Sequence, residues 1–359
     1  MVLGELVEAL LDLEMLIAAF GGGAFGAALG ALPAFIFTGF MVIAGEASWL
    51  VSSDAVAIRN NVAFGPPFSP AISFAGGAAA TAYAARRGYI DTAFDYHEAK
   101  NIAYALGTKP DVLAVGGAFG VLGYVLQVTS GTLGLPWDPI AMGVVLSALF
   151  HRLILGYSII GKVRGTGYFD MTPFEREETR TITDGGEAEA GAETEPEAAA
   201  AAQSSRLAVE PWLPHQYEWD HVAMIGLAGG LLGGYTALVT ESPFLAFGIS
   251  AASLVFLNCG VEKIPVTHHI TLPSSTAALA VVASGDAVLA GTSNEVALIV
   301  AAVFGIVCAL FGEAFQRVFY AHGDTHWDPP AAAIVFGTIL VAVAYFLGIF
   351  PTTVWVPTP

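Results

Sequence analysis

The chain has 359 residues, 55% of them hydrophobic and only 12% charged, with a mean hydropathy of +0.67. A soluble domain carries about a quarter charged residues, so the composition excludes an ordinary soluble enzyme and points to an all-α polytopic membrane protein. The formal charge of −18 leaves no basic patch to neutralise phosphates, which excludes nucleic acid as a partner; excess acid with scarce lysine fits a halophilic, salt-rich cytoplasm in which self-repulsion is screened.

The N-terminal stretch MVLGELVEALLDLEML carries Glu5, Glu8, Asp12 and Glu14 and no basic n-region, so it is not expected to be a cleaved signal peptide. Five hydrophobic elements follow at 14–32, 34–51, 67–86, 110–128 and 138–161, forming a first transmembrane repeat over 1–168. Segment 169–217 includes DGGEAEAGAETEPEAAAAAQSS, which is too polar and repetitive to bury a core and reads as an acidic, disordered cytoplasmic linker. Five more elements, at 220–238, 243–260, 270–284, 296–317 and 330–350, form a second repeat over 218–359. The strict alternation of a β-barrel is absent. Cys259 and Cys308 lie in apolar segments and read as packed thiols.

Four landmarks recur in the same order, which indicates an internal duplication. Gly22, Gly26 and Gly30 pair with Gly226, Gly230 and Gly234; FGPPFSPAIS pairs with PVTHHITLPSS; GGAFGVLGYVLQ pairs with AAVFGIVCALFG; and Trp137-Asp138-Pro139 pairs with Trp327-Asp328-Pro329. An odd number of spans per unit predicts opposite orientations for the two repeats. With both termini outside, Arg86, Arg87, Lys162, Arg164, Lys263 and Arg317 fall on the cytoplasmic side, and Arg59 is the main exception. The glycine rows predict close helix packing, and the two Asp-Pro pairs predict helix N-caps with interfacial tryptophans beside them.

Paired Pro-broken helices in inverted repeats mark midplane solute sites in transporters. The breaks predict re-entrant or discontinuous helices that begin near Ser69-Pro70 and Thr271-Leu272-Pro273, capped by Ser69 and Thr271. The expected solute-binding residues are Asn60, Asn61, Ser69, Pro70 and Ser73 in one half. Their counterparts are His268, His269, Thr271, Pro273, Ser274, Ser275 and Thr276 in the other. Free N–H groups and hydroxyls there suit a small polar or anionic solute.

Glu262, Lys263, Glu313 and Arg317 are gate or coupling candidates, and His322, Asp324 and His326 are a candidate metal cluster. The sequence thus predicts a secondary transporter or channel in the cell membrane, surrounded by lipid and assembled as a homo-oligomer. No nucleotide motif is present, so a solute gradient or a coupling ion, Na+ or H+, would drive it, with no other cofactor expected. In plan it is similar to urea channels and inverted-repeat carriers, which implies a solute path through the bundle. The alternatives are a structural, oligomer-forming membrane protein and a membrane-embedded metal enzyme using His268/His269 or His322/His326.

Overall fold

A computed structural model describes residues 2–52, 57–92, 94–180 and 206–359. The described chain is all-helical, with an isolated antiparallel bridge between Thr179 and Leu207 in place of any strand. A helix not anticipated from the sequence, α1 (Val2–Leu10), precedes the bundle, and the Ala9 carbonyl accepts from the Tyr124 hydroxyl at 2.8 Å.

The first five elements are α2 (Leu13–Leu29), α3 (Ala31–Val51), a π-helical turn Pro70–Phe74 running into α4 (Ala75–Arg86), α5 (Pro110–Thr132) and α6 (Pro139–Leu155). The second five are α7 (Trp219–Thr240), α8 (Leu245–Asn258), α9 (His268–Val282), α10 (Asn294–Phe319) and α11 (Pro329–Phe346). Helices α3, α5, α7, α10 and α11 are long and apolar enough to cross a membrane, and α2, α6 and α8 are shorter apolar helices.

Local chemistry sets the boundaries. Asp12 caps α2 by accepting from the Met15 N–H. Asp138 and Asp328 cap α6 and α11, each with proline at the first helical position, as the Asp-Pro pairs predicted. Between α2 and α3 the chain turns at Gly30 alone, whose φ of 93° is open to glycine and strained for other residues.

Helices meet through bare backbone. A Cβ on Gly23 would stand 2.3 Å from the Gly116 carbonyl oxygen, and one on Gly230 would stand 2.6 Å from that of Ala301. Helix α2 packs on α4 and α5, as α7 packs on α9 and α10, while α3 and α8 pack on each other across the two halves.

The glycine rows take a different register from the one their spacing suggested. Gly22 and Gly26 back onto Pro66 and Ser73, the break that opens α4. In the second half it is Gly229 and Gly233 that back onto the start of α9, at Ile270 and Thr271. Gly226 and Gly230 face α10 instead.

The ends of the expected linker are built into the fold. Residues Thr172–Glu175 form a helical turn, the Arg180 N–H donates to the Arg206 carbonyl at 2.9 Å, and Glu210 is fully buried. The low-complexity stretch between them lies outside the described residues.

Candidate solute cavity

Helix α9 starts at His268, with Thr267 as the residue before it, so Thr271 is not a cap and Pro273 lies inside the helix. Proline there has no N–H to give and its ring crowds the carbonyl four residues back. The early start follows from a tether in the linker's C-terminal end. Gln216 accepts from the Val266 N–H at 3.1 Å and donates to the Val266 carbonyl at 3.3 Å, fixing the chain just before the helix.

The hydroxyls expected to meet solute serve the protein's own backbone. Ser274 donates to Ile270 at 2.7 Å, Thr276 to Leu272 at 2.9 Å and Thr271 to His268 at 3.4 Å, each within α9; Ser275 donates to Gly233 at 3.0 Å. In the first half, Ser73 donates to the Ser69 carbonyl at 3.2 Å. Ser69 does precede the helix, with Pro70 first in it, but its hydroxyl donates to Gln127 Oε1 at 2.7 Å rather than capping. Asn60 and Asn61 are exposed on a separate π-helical turn, Ile58–Ala63, and are not among the residues lining the cavity between the two halves.

A cavity of about 1260 Å³ lies between the halves. Its wall includes Phe244 and Phe247 at the start of α8 and Leu257 and Asn258 at its end, a run of about 21 Å at 1.5 Å per helical residue. Both halves contribute equivalent positions. The first and fifth residues of each broken helix line it, Pro70 and Phe74 against His268 and Leu272. So do the cap and first turns of each final helix: Asp138, Ala141 and Val144 against Asp328, Ala331 and Ile334. The wall is mainly apolar, and Phe35 in it lies with its ring centroid 4.7 Å from that of His268 and 6.0 Å from those of both Phe74 and Phe247.

Of the paired histidines, only His268 lines the cavity, as expected for neighbours that diverge around a helix. His269 points behind, 6.0 Å from the Trp212 ring, and both Nδ1 atoms are buried without a hydrogen-bond partner. His326 also lines the cavity, with Nε2 3.1 Å from Asp328 Oδ1, while Asp328 Oδ2 accepts from the Ala331 N–H at 2.7 Å.

Glu262 and Lys263 are exposed at one end of the cavity. Glu313 and Arg317 lie outside its wall. Arg317 Nε bonds Glu313 Oε1 at 2.6 Å, its other nitrogens donate to the Phe169 and Tyr217 carbonyls, and its guanidinium lies 4.5 Å from the Trp219 ring. The pair therefore fastens the linker's flanks to α10.

The expected metal cluster does not converge. His322 Nδ1 accepts from the Arg164 N–H, Asp324 pairs with Arg180 and Arg206, and His326 pairs with Asp328. Among the described residues, Glu218, Asp220 and His221 are the one group of three whose ligand atoms approach closely enough to share an ion, and all three are exposed. Trp327 is a buried residue with the Arg152 guanidinium 4.9 Å from its ring, rather than an interfacial anchor.

Sequence reasoning missed a charge cluster at the cavity's linker end. Lys100 lines the cavity and is fully buried, with Nζ 2.6 Å from Glu210 Oε2 and 2.8 Å from the Tyr320 carbonyl. Arg206 Nε bonds Glu210 Oε1 at 2.6 Å, and Arg206 and Arg180 both reach Asp324 Oδ1 at 3.0 Å. Burial would raise Glu210, but Lys100, Arg206 and Arg180 outweigh it and hold it down to about 2. Burial pushes Lys100 down to about 7 against the pull of Glu210. The partners lie 110 residues apart in sequence, so no local pattern announces them.

A family model described as a family of unknown function, DUF7973, matches residues 5–359. The chain belongs to that family. No curated protein and no solved structure matches it.

Proposed function

For this member of a family without an assigned activity, we propose membrane transport through the central cavity, by a carrier or channel made of two copies of one five-helix unit in opposite orientations. The observation that carries this is the cavity wall. The broken helices and the final helices line it with equivalent residues from each half, along the length of α8. Matched broken segments at a shared cavity are the arrangement by which inverted-repeat transporters hold their solutes. Interrupted backbone at that depth is tolerable where it borders protein or such a cavity.

The wall revises the solute. With the hydroxyls of α9 engaged by backbone and phenylalanines in the wall, the cavity suits an amphipathic organic molecule better than a small polar or anionic one. The acidic surface supports a salt-rich host, and the basic helix ends support a cytoplasmic linker.

The test needs no knowledge of the solute. In a variant lacking Cys259 and Cys308, a cysteine at Ala141 is expected to react with a small, membrane-impermeant thiol reagent in reconstituted vesicles. A channel would label from both faces and a carrier from one face at a time. Failure to label from either face would favour a structural role in the membrane and sink the transport reading.

A further inference from the structure

We infer that the cavity's ligand is an organic cation, an amine or quaternary ammonium on an apolar or aromatic body, and that Asp138 is the residue that binds its charge. This rests on the transport cavity above and adds the sign of the ligand. Asp138 is 6% exposed and stands in the cavity wall. Its Oδ1 accepts both capping bonds, from Ile140 N–H at 2.8 Å and Ala141 N–H at 3.3 Å. Its Oδ2 receives no donor among the described residues.

The equivalent carboxylate in the other half is fully engaged. Asp328 gives one oxygen to His326 and the other to the Ala331 N–H. The caps of the two final helices therefore differ in chemistry: one carboxylate holds a histidine, and the other keeps an acceptor oxygen for something else.

Other groups in the wall agree on the sign. The lining carries four carboxylates, Asp95, Asp138, Glu262 and Asp328, against two lysines. Of the lysines, Lys263 is exposed and Lys100 is already held by Glu210. Phe35, Phe74 and Phe247 offer ring faces, which attract a desolvated cation. A carboxylate oxygen without a donor, in the wall of a mainly apolar cavity that also carries aromatic rings, is a cation site. A bare metal ion would leave nearly all of the 1260 Å³ unfilled, whereas an ammonium carrying an apolar body uses the apolar wall as well.

The test compares three probes with one body and different heads: phenethylamine, phenylacetate and 2-phenylethanol. They are titrated into the full chain in nanodiscs by calorimetry, with empty nanodiscs subtracted. Phenethylamine is expected to bind at least about tenfold more tightly than the other two, the range of a charged hydrogen bond. Asp138→Asn is expected to erase that preference while leaving 2-phenylethanol unchanged. Asparagine caps helices as well as aspartate does, and Asp138→Ser, which also caps, supplies a second variant.

Retention of the amine preference in both variants overturns the inference, as does tightest binding of phenylacetate or no binding of any probe. Equal binding of all three, blocked by Ala331→Trp, would remove the cation and leave the cavity as a ligand site. Absent binding together with an unreactive cysteine at Ala141 would remove both readings.

Discussion

A lysine without solvent needs a counter-charge, and among the described residues Lys100 has one carboxylate paired with it, that of Glu210. Removing one partner of a buried pair leaves the other charge uncompensated, at a cost of about 3–5 kcal/mol. Glu210→Gln is therefore expected to lower the melting temperature far more than Arg176→Gln, whose ion pair is exposed. The acid limb of stability follows as well. Glu210 has its folded pKa depressed to about 2 from an ordinary 4.5, so its contribution is present above about 4.5 and lost as pH falls from there toward 2. Melting curves across that window should be steeper for the native chain than for Glu210→Gln.

At this scale the sequence was a mixed guide. The Asp-Pro caps were legible because capping is local. The roles of Ser274 and Thr276 were not, since a hydroxyl in a small-residue helix turns to a carbonyl four residues back whenever no better partner is near, and Ser275 finds its partner, the Gly233 carbonyl, on another helix.

Among the helices, the tightest approach is between α5 and the turn that opens α4, where a Cβ on Gly123 would come within 1.6 Å of the Ala71 carbonyl oxygen. The obstacle is backbone, so Gly123→Ala must push the broken helix away. The expected cost is at least the 1–3 kcal/mol of an overpacked core, read as a lower melting temperature and loss of cysteine reactivity at Ala141. Gly131→Ala, with its nearest neighbour 3.7 Å away, is the neutral control.

Element positions were readable from apolar length, and all ten fall within a few residues of expectation. With Thr271 expected as the cap, the start of α9 was misjudged by four residues, because the Gln216 tether lies 50 residues upstream. Proline position alone placed the helix start at the ring, whereas a helix fixed from outside can begin earlier and carry the ring within it.

For the molecule as a whole, the bridge between Thr179 and Leu207 brings the two ends of residues 181–205 together. Two strands so joined need a two-residue turn such as Asn-Gly. Replacing residues 181–205 with Asn-Gly is expected to leave the melting temperature and the thiol reactivity at Ala141 unchanged. A drop in either would assign that segment a part in the fold.

The Lys100 cluster also carries a consequence for biogenesis. Its lysine is made early, but Glu210 and the Tyr320 carbonyl arrive 110 and 220 residues later. Until then the first five helices hold a cation they have no means to bury, and the loop from 88 to 109 must stay open to water. Synthesis should therefore pass through an inserted but unlatched state that ends when the C-terminal half is delivered. Residues 1–180 produced alone should enter the membrane yet remain cleavable by protease near Lys100, and co-expression of residues 206–359 should close that site.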